Sequence, residues 1–128
     1  MMKKHTPQEI YRAALKERDQ PDPLKKRQAC EKGWLAVTEA VDKYLAQHGI
    51  YIPKGQGKAH TKRITALGNL VKSDPAAEKL YEKIPVIADT LHGACFYGGE
   101  DSPQFDVTLK RTVREILELT GFPLDGEE

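Results

Sequence analysis

The chain has 128 residues, 39% hydrophobic and 30% charged, with a net charge of +1. This reads as one domain over residues 1–128, long enough to bury a continuous core, and so near neutral that no global field draws it to nucleic acid or membrane. No apolar run approaches the roughly 20 residues of a membrane span, and Met1-Met2-Lys3-Lys4-His5-Thr6 carries no apolar segment of a secretory signal.

Thr6-Pro7-Gln8-Glu9 is a capping box with proline at the first helical position. Ile10, Tyr11, Ala14 and Leu15 supply the apolar stripe, and Gln20-Pro21-Asp22-Pro23 ends a helix over about 7–19. Cys30, Gly33-Trp34, Val37, Ala40-Val41 and Tyr44-Leu45 then recur at helical steps, predicting a long second helix from Leu24 to His48 that Gly49 terminates. "IYIPKGQGK" is a loop by its proline and glycines. A shorter helix follows, with Ile64, Leu67 and Leu70-Val71 on its apolar face and Gly68 weakening it.

Asp74-Pro75 starts a fourth helix carrying Leu80, Ile84, Ile87, Leu91 and Ala94-Cys95, with Pro85 expected to bend it and Gly98-Gly99 to stop it after Tyr97. Ser102-Pro103 caps the last helix, whose stripe is Phe105, Leu109, Val113 and Ile116-Leu117, ended by Gly121 and Pro123 before an acidic tail expected to fray. The pattern predicts an all-α, antiparallel up-down bundle of four long helices plus one short helix. In that topology the start of the second helix meets the end of the fourth. Lys25, Lys26 and Arg27 then lie near His92 and Tyr97, and the basic loop after His48 lies at the opposite end.

Cys30 and Cys95 sit inside apolar patterns and are expected to be reduced core thiols of a cytoplasmic protein. Trp34, Tyr44 and Tyr81 occupy packing positions. His92 has Asp89 and Cys95 three residues away on either side, so the three are expected to share a face on which Asp89 orients the imidazole. A metal site is not expected, since zinc would need a fourth group and no second cluster is visible, and no cofactor is indicated. "PKGQGKAH" lacks the first glycine and the Ser or Thr of a phosphate-binding P-loop. Between Gln47 and Ser73, however, there are basic residues and no acidic ones. Lys58, Lys62 and Arg63, near a helix start, make a secondary candidate for an anion. The principal candidate is a ligand pocket of His92, Tyr97, Lys26 and Arg27, with Asp89 beside the imidazole, where cations, a phenol and a titratable ring converge.

"RQACEKGWLAVTEAVDKYLAQHGIYIPKG", followed by "LHGACFYGG", resembles the HEPN superfamily (higher eukaryotes and prokaryotes nucleotide-binding domains), in particular its small PaREP-like branch, over roughly Arg27 to Leu119. The resemblance implies a helical bundle that is often homodimeric. It also implies either a nucleotide-binding partner of a nucleotidyltransferase or a ribonuclease of a toxin system. Ribonuclease members carry an arginine a turn or so before a histidine on a late helix. Here Val86, Ile87 and Ala88 precede His92 instead, so only the late Leu-His position matches. The expected function is therefore a non-catalytic module binding a nucleotide, an RNA phosphate or a partner protein. The alternatives are a metal-independent ribonuclease using His92, with Lys26 or Arg27 in place of the missing arginine, and a purely structural interaction bundle.

Overall fold

A computed structural model describes residues 5–53, 57–99 and 101–124. Lys54 of the basic stretch, Glu100 and the acidic tail lie outside the described residues. The protein is all-helical, and among the described residues there is no strand. Helix α1 is Pro7–Arg18, α2 Pro23–Gln47, α3 Ala59–Leu70 and α4 Pro75–Ile87. Helix α4 continues directly into a π-helical segment, π1, Ala88–Tyr97. The last arm is α5 Pro103–Val107, π2 Thr108–Thr112 and α6 Val113–Leu119.

Helices α1, α2, α4 and α5 each start where a short polar side chain takes an orphan N–H. The Thr6 hydroxyl accepts from the Glu9 N–H (3.1 Å) and the Glu9 carboxylate from the Thr6 N–H (2.9 Å), completing the capping box. Asp22 accepts from the Leu24 N–H, Asp74 from the Ala76 N–H and Ser102 from the Gln104 N–H, each ahead of a first-turn proline. The Pro-rich turn thus both stops α1 and starts α2. Helix α3 has no such cap; it begins after Lys58, a non-glycine residue at φ 57°.

The core is one cluster drawing on every helix, with α2 at its centre. Helix α2 packs against α1, π1, α3 and α6 and buries residues from Ala29 to Leu45 on more than one side. It packs tightly at Gly33, where an added Cβ would lie 2.4 Å from Leu109 Cδ1 and 3.3 Å from Leu91 Cδ1. Contacts of Arg27 with Phe96, Glu31 with His92 and Tyr44 with Asp74 make α2 antiparallel to α4–π1. Trp34 and Tyr44 are buried as expected, but Tyr81 is 43% exposed, its ring lying on the bare backbone of Gly68.

Two sequence expectations are corrected here. First, Cys30 and Cys95 are not reduced thiols but a disulfide: the antiparallel packing of α2 on π1 brings their Cα atoms to 6.2 Å, within bonding reach. Closing a loop of 65 residues contributes about 4 kcal/mol in the chain-entropy account. With the bond formed, the thiols no longer argue for a reducing compartment. No helix of the described residues is long and apolar enough to cross a membrane.

Second, the fourth and last helices are not α-helical throughout. Proline at 85 offers no N–H to the carbonyl four residues back, and three residues later the ladder changes to the wider i→i+5 pattern, visible where the Gly98 N–H donates to Gly93 O at 2.8 Å. The wider turn changes which residues share a face. Cys95 is fully buried, His92 is half-buried and Asp89 is exposed, so the expected common face of these three does not exist.

Candidate functional site

Arg27, Glu31 and Trp34 rise along one side of α2 at helical spacing, and each meets π1. The Arg27 guanidinium donates twice to the Phe96 carbonyl, from Nε at 3.0 Å and Nη2 at 2.7 Å. Near the C-terminal end of a helix, where carbonyls lack partners, a guanidinium is a fitting cap. One turn along α2, Glu31 Oε1 lies 2.7 Å from His92 Nδ1, with both side chains about one-third exposed. Glu31, and not Asp89, orients the imidazole.

Around His92 the rings gather. Tyr97 stands edge-on to it at 4.8 Å, Phe96 lies nearly parallel at 6.2 Å, and Trp34 is tilted beneath at 6.2 Å. Trp34 also takes the His60 ring of α3 edge-on at 5.8 Å. Burial, then the charges of Arg63 and His92, push the His60 pKa below the ordinary histidine value. The cluster is capped by Tyr97, 68% exposed, a large aromatic face open to a ligand.

Lys26 and Arg27 also line a cavity of about 130 Å³ with Arg18, Gly99 and Asp101, next to the prolines of the α1–α2 turn. Arg18 forms its wall. Its side chain is buried, and Nε and Nη2 donate to Asp106 (2.7 Å) and Asp101 (2.8 Å). Burial opposes the charge, but the hydrogen bonds donated to these two carboxylates, and their negative charges, outweigh it and raise the guanidinium pKa. The same hydrogen bond holds the Asp106 carboxyl below its usual range. Lys26 Nζ donates to the Arg18 carbonyl at 3.0 Å.

The single pocket expected from the sequence is therefore two adjoining features. His92 and Tyr97 belong to the ring cluster, Lys26 lines the cavity, and Arg27 joins the two by lining the cavity while holding the carbonyl next to Tyr97.

The secondary anion candidate comes apart. Arg63 is closed onto Asp42 by two hydrogen bonds, 2.6 and 3.0 Å, with both side chains largely buried, so it ties α3 to α2. Lys58 and Lys62 are exposed, and Lys62 borders a shallow groove with Tyr51, Thr61, Thr65 and Asn69.

At the far end of α2 lies a cluster the sequence did not reveal. Tyr44 donates to Asp74 Oδ2 at 2.5 Å, His48 Nε2 lies 3.2 Å from the same oxygen, and the two rings are 4.6 Å apart. The Tyr44 hydrogen bond, then the Ala76 N–H, hold the Asp74 carboxyl below its usual range, while burial and then Asp74 push the Tyr44 phenol well above its own. Asp74 was legible as a helix cap and Tyr44 as a packing residue; their meeting was not.

Among the described residues no group of three or more His, Cys, Asp or Glu side chains is placed to hold a metal ion. Comparison with protein-family models, with curated proteins and with solved structures finds no match to this chain.

Proposed function

We propose that the chain is a HEPN-like up-down helical module that binds a nucleotide or an RNA phosphate where the start of α2 meets the end of π1. The observation that carries this reading is the position of Arg27. Its guanidinium is fixed on the Phe96 carbonyl through Nε and Nη2, and Nη1 has no acceptor among the described residues. A pre-positioned guanidinium with unused donors loses little entropy on meeting a phosphate oxygen. Lys26 brings a second cation to the same cavity, and the exposed Tyr97 ring one residue from Phe96 offers a stacking face for a base.

Titration calorimetry at low salt with 5′-AMP and a short single-stranded RNA tests this. Binding is expected, with Lys26→Gln lowering the salt dependence by about one phosphate contact and Tyr97→Ala weakening RNA by about 1–3 kcal/mol. Absence of binding to both probes by the wild-type chain overturns the reading. The same reading makes the protein a homodimer, which sedimentation velocity checks at micromolar concentration.

One observation favours a second reading, metal-independent ribonuclease activity. An imidazole held by a carboxylate at 2.7 Å is the arrangement of an oriented acid–base group. Cleavage of RNA in excess chelator, abolished by His92→Ala, would establish it.

A further inference from the structure

The Cys30–Cys95 bond lies inside the set of contacts that builds the proposed site. On α2, Arg27 precedes Cys30 by three residues, Glu31 follows it directly and Trp34 comes one turn later. On π1, His92 precedes Cys95 by three residues and Phe96 follows it directly. The Arg27–Phe96 and Glu31–His92 contacts therefore flank the bridge along the α2–π1 seam. Both cysteines are fully buried, so the bond acts from within the seam.

The segment it holds has an uncommon backbone. A π-helical ladder is rare and commonly survives only as a single turn, whereas π1 runs for 10 residues and ends at Gly98-Gly99, with Gly99 at φ 69°. Apart from the disulfide, the polar ties of this seam among the described residues are the Glu31–His92 pair, about one-third exposed, and the Arg27 cap on Phe96.

We propose that the Cys30–Cys95 disulfide is a redox clamp on this site: reduced, π1 loosens from α2 and ligand affinity falls while the rest of the fold persists. The inference rests on the nucleotide-binding reading above. The reductant is a dithiol. Its thiolate attacks one sulfur of the bridge to give a mixed disulfide, and its second thiol then resolves this. The protein S–S bond breaks and one forms in the reductant, while two electrons and two protons end on Cys30 and Cys95. Local opening at the glycine end of π1 gives access.

The test compares the full chain oxidised and after dithiothreitol, with free thiols counted by alkylation and mass. A Cys30→Ala/Cys95→Ala double variant accompanies it; if that variant does not fold, the reduced wild-type chain carries the measurement. Amide hydrogen exchange is read in π1, α1 and α6, and affinity is read with 5′-AMP and a single-stranded RNA. Reduction is expected to speed exchange in π1 by about tenfold or more beyond any change shared by α1 and α6, and to weaken binding by about tenfold. Uniform acceleration in every helix makes the bond a general staple and overturns the clamp. So does unchanged exchange in π1 with both thiols free. If π1 alone loosens but the oxidised chain binds neither probe, the clamp on π1 is upheld and the nucleotide reading falls.

Discussion

The two ends of α2 are built from similar materials and arrive at different states. At each, an aromatic residue, a histidine and a carboxylate meet where α2 contacts α4–π1. At the Tyr44 end, one carboxylate satisfies everything around it. Asp74 accepts from the phenol and from the Ala76 N–H, and lies against His48. At the Arg27 end the polar groups are fixed but, among the described residues, not used up, with a guanidinium pinned through part of its donor set, a Glu31–His92 contact about one-third exposed and an exposed tyrosine. A self-satisfied cluster locks helices together. A cluster with spare donors is where a ligand can be recognised.

The largest effect expected on this comparison comes from Trp34, which supports both His60 and His92 from the core. Trp34→Ala should cost about 3–5 kcal/mol in denaturant melts. A loss below about 1 kcal/mol would mean the ring cluster does not depend on its floor.

Next comes the lock at the other end. Tyr44→Phe removes a hydrogen bond to an ionised carboxylate and should cost about 1.5–3 kcal/mol at neutral pH. Asp74 has a folded pKa below its unfolded value of about 3.9, so its contribution is complete above that pH. It is lost as pH falls through the folded value. The gap between wild type and Tyr44→Phe should therefore narrow below about pH 4; a gap constant down to about pH 2 would remove Asp74 from the account.

The smallest stability effect belongs to His92. Its pairing with Glu31 is about one-third exposed on both sides, where such pairs contribute about 0–1 kcal/mol. His92→Ala should leave the melting temperature within a few degrees of wild type, about 2–4 °C, while weakening 5′-AMP or RNA binding. If His92→Ala instead matches Trp34→Ala in thermal melts, the two ends are equally structural and the contrast between them fails.

Helix starts were readable because they depend on neighbours in sequence. Thr6, Asp74 and Ser102 act on N–H groups two or three residues ahead, and all three cap as their positions indicate. The meeting of Arg27 with the Tyr97 end followed from helix order. What stayed hidden depends on how one helix is rotated against another. Glu31 gives no local sign that it will hold His92, and Arg63 none that Asp42 will take it. The Cys30–Cys95 bond is set by the same rotation. Apolar spacing also does not distinguish an i→i+4 ladder from an i→i+5 one over two turns. Asp89 was accordingly placed beside His92 when the backbone turns it to the surface.

Gly33 ties two distant positions into one evolutionary unit. Because a methyl group there would run into Leu109, residue 33 can grow only if residue 109 shifts or shrinks, and each change alone is expected to cost stability, one by overpacking and the other by leaving a void. Gly33→Ala combined with Leu109→Val should cost less than the sum of the two single changes in a double-mutant cycle. Among descendants of this sequence the two sites should exchange volume together, so this helix contact would be written as a correlated pair rather than as a fixed residue.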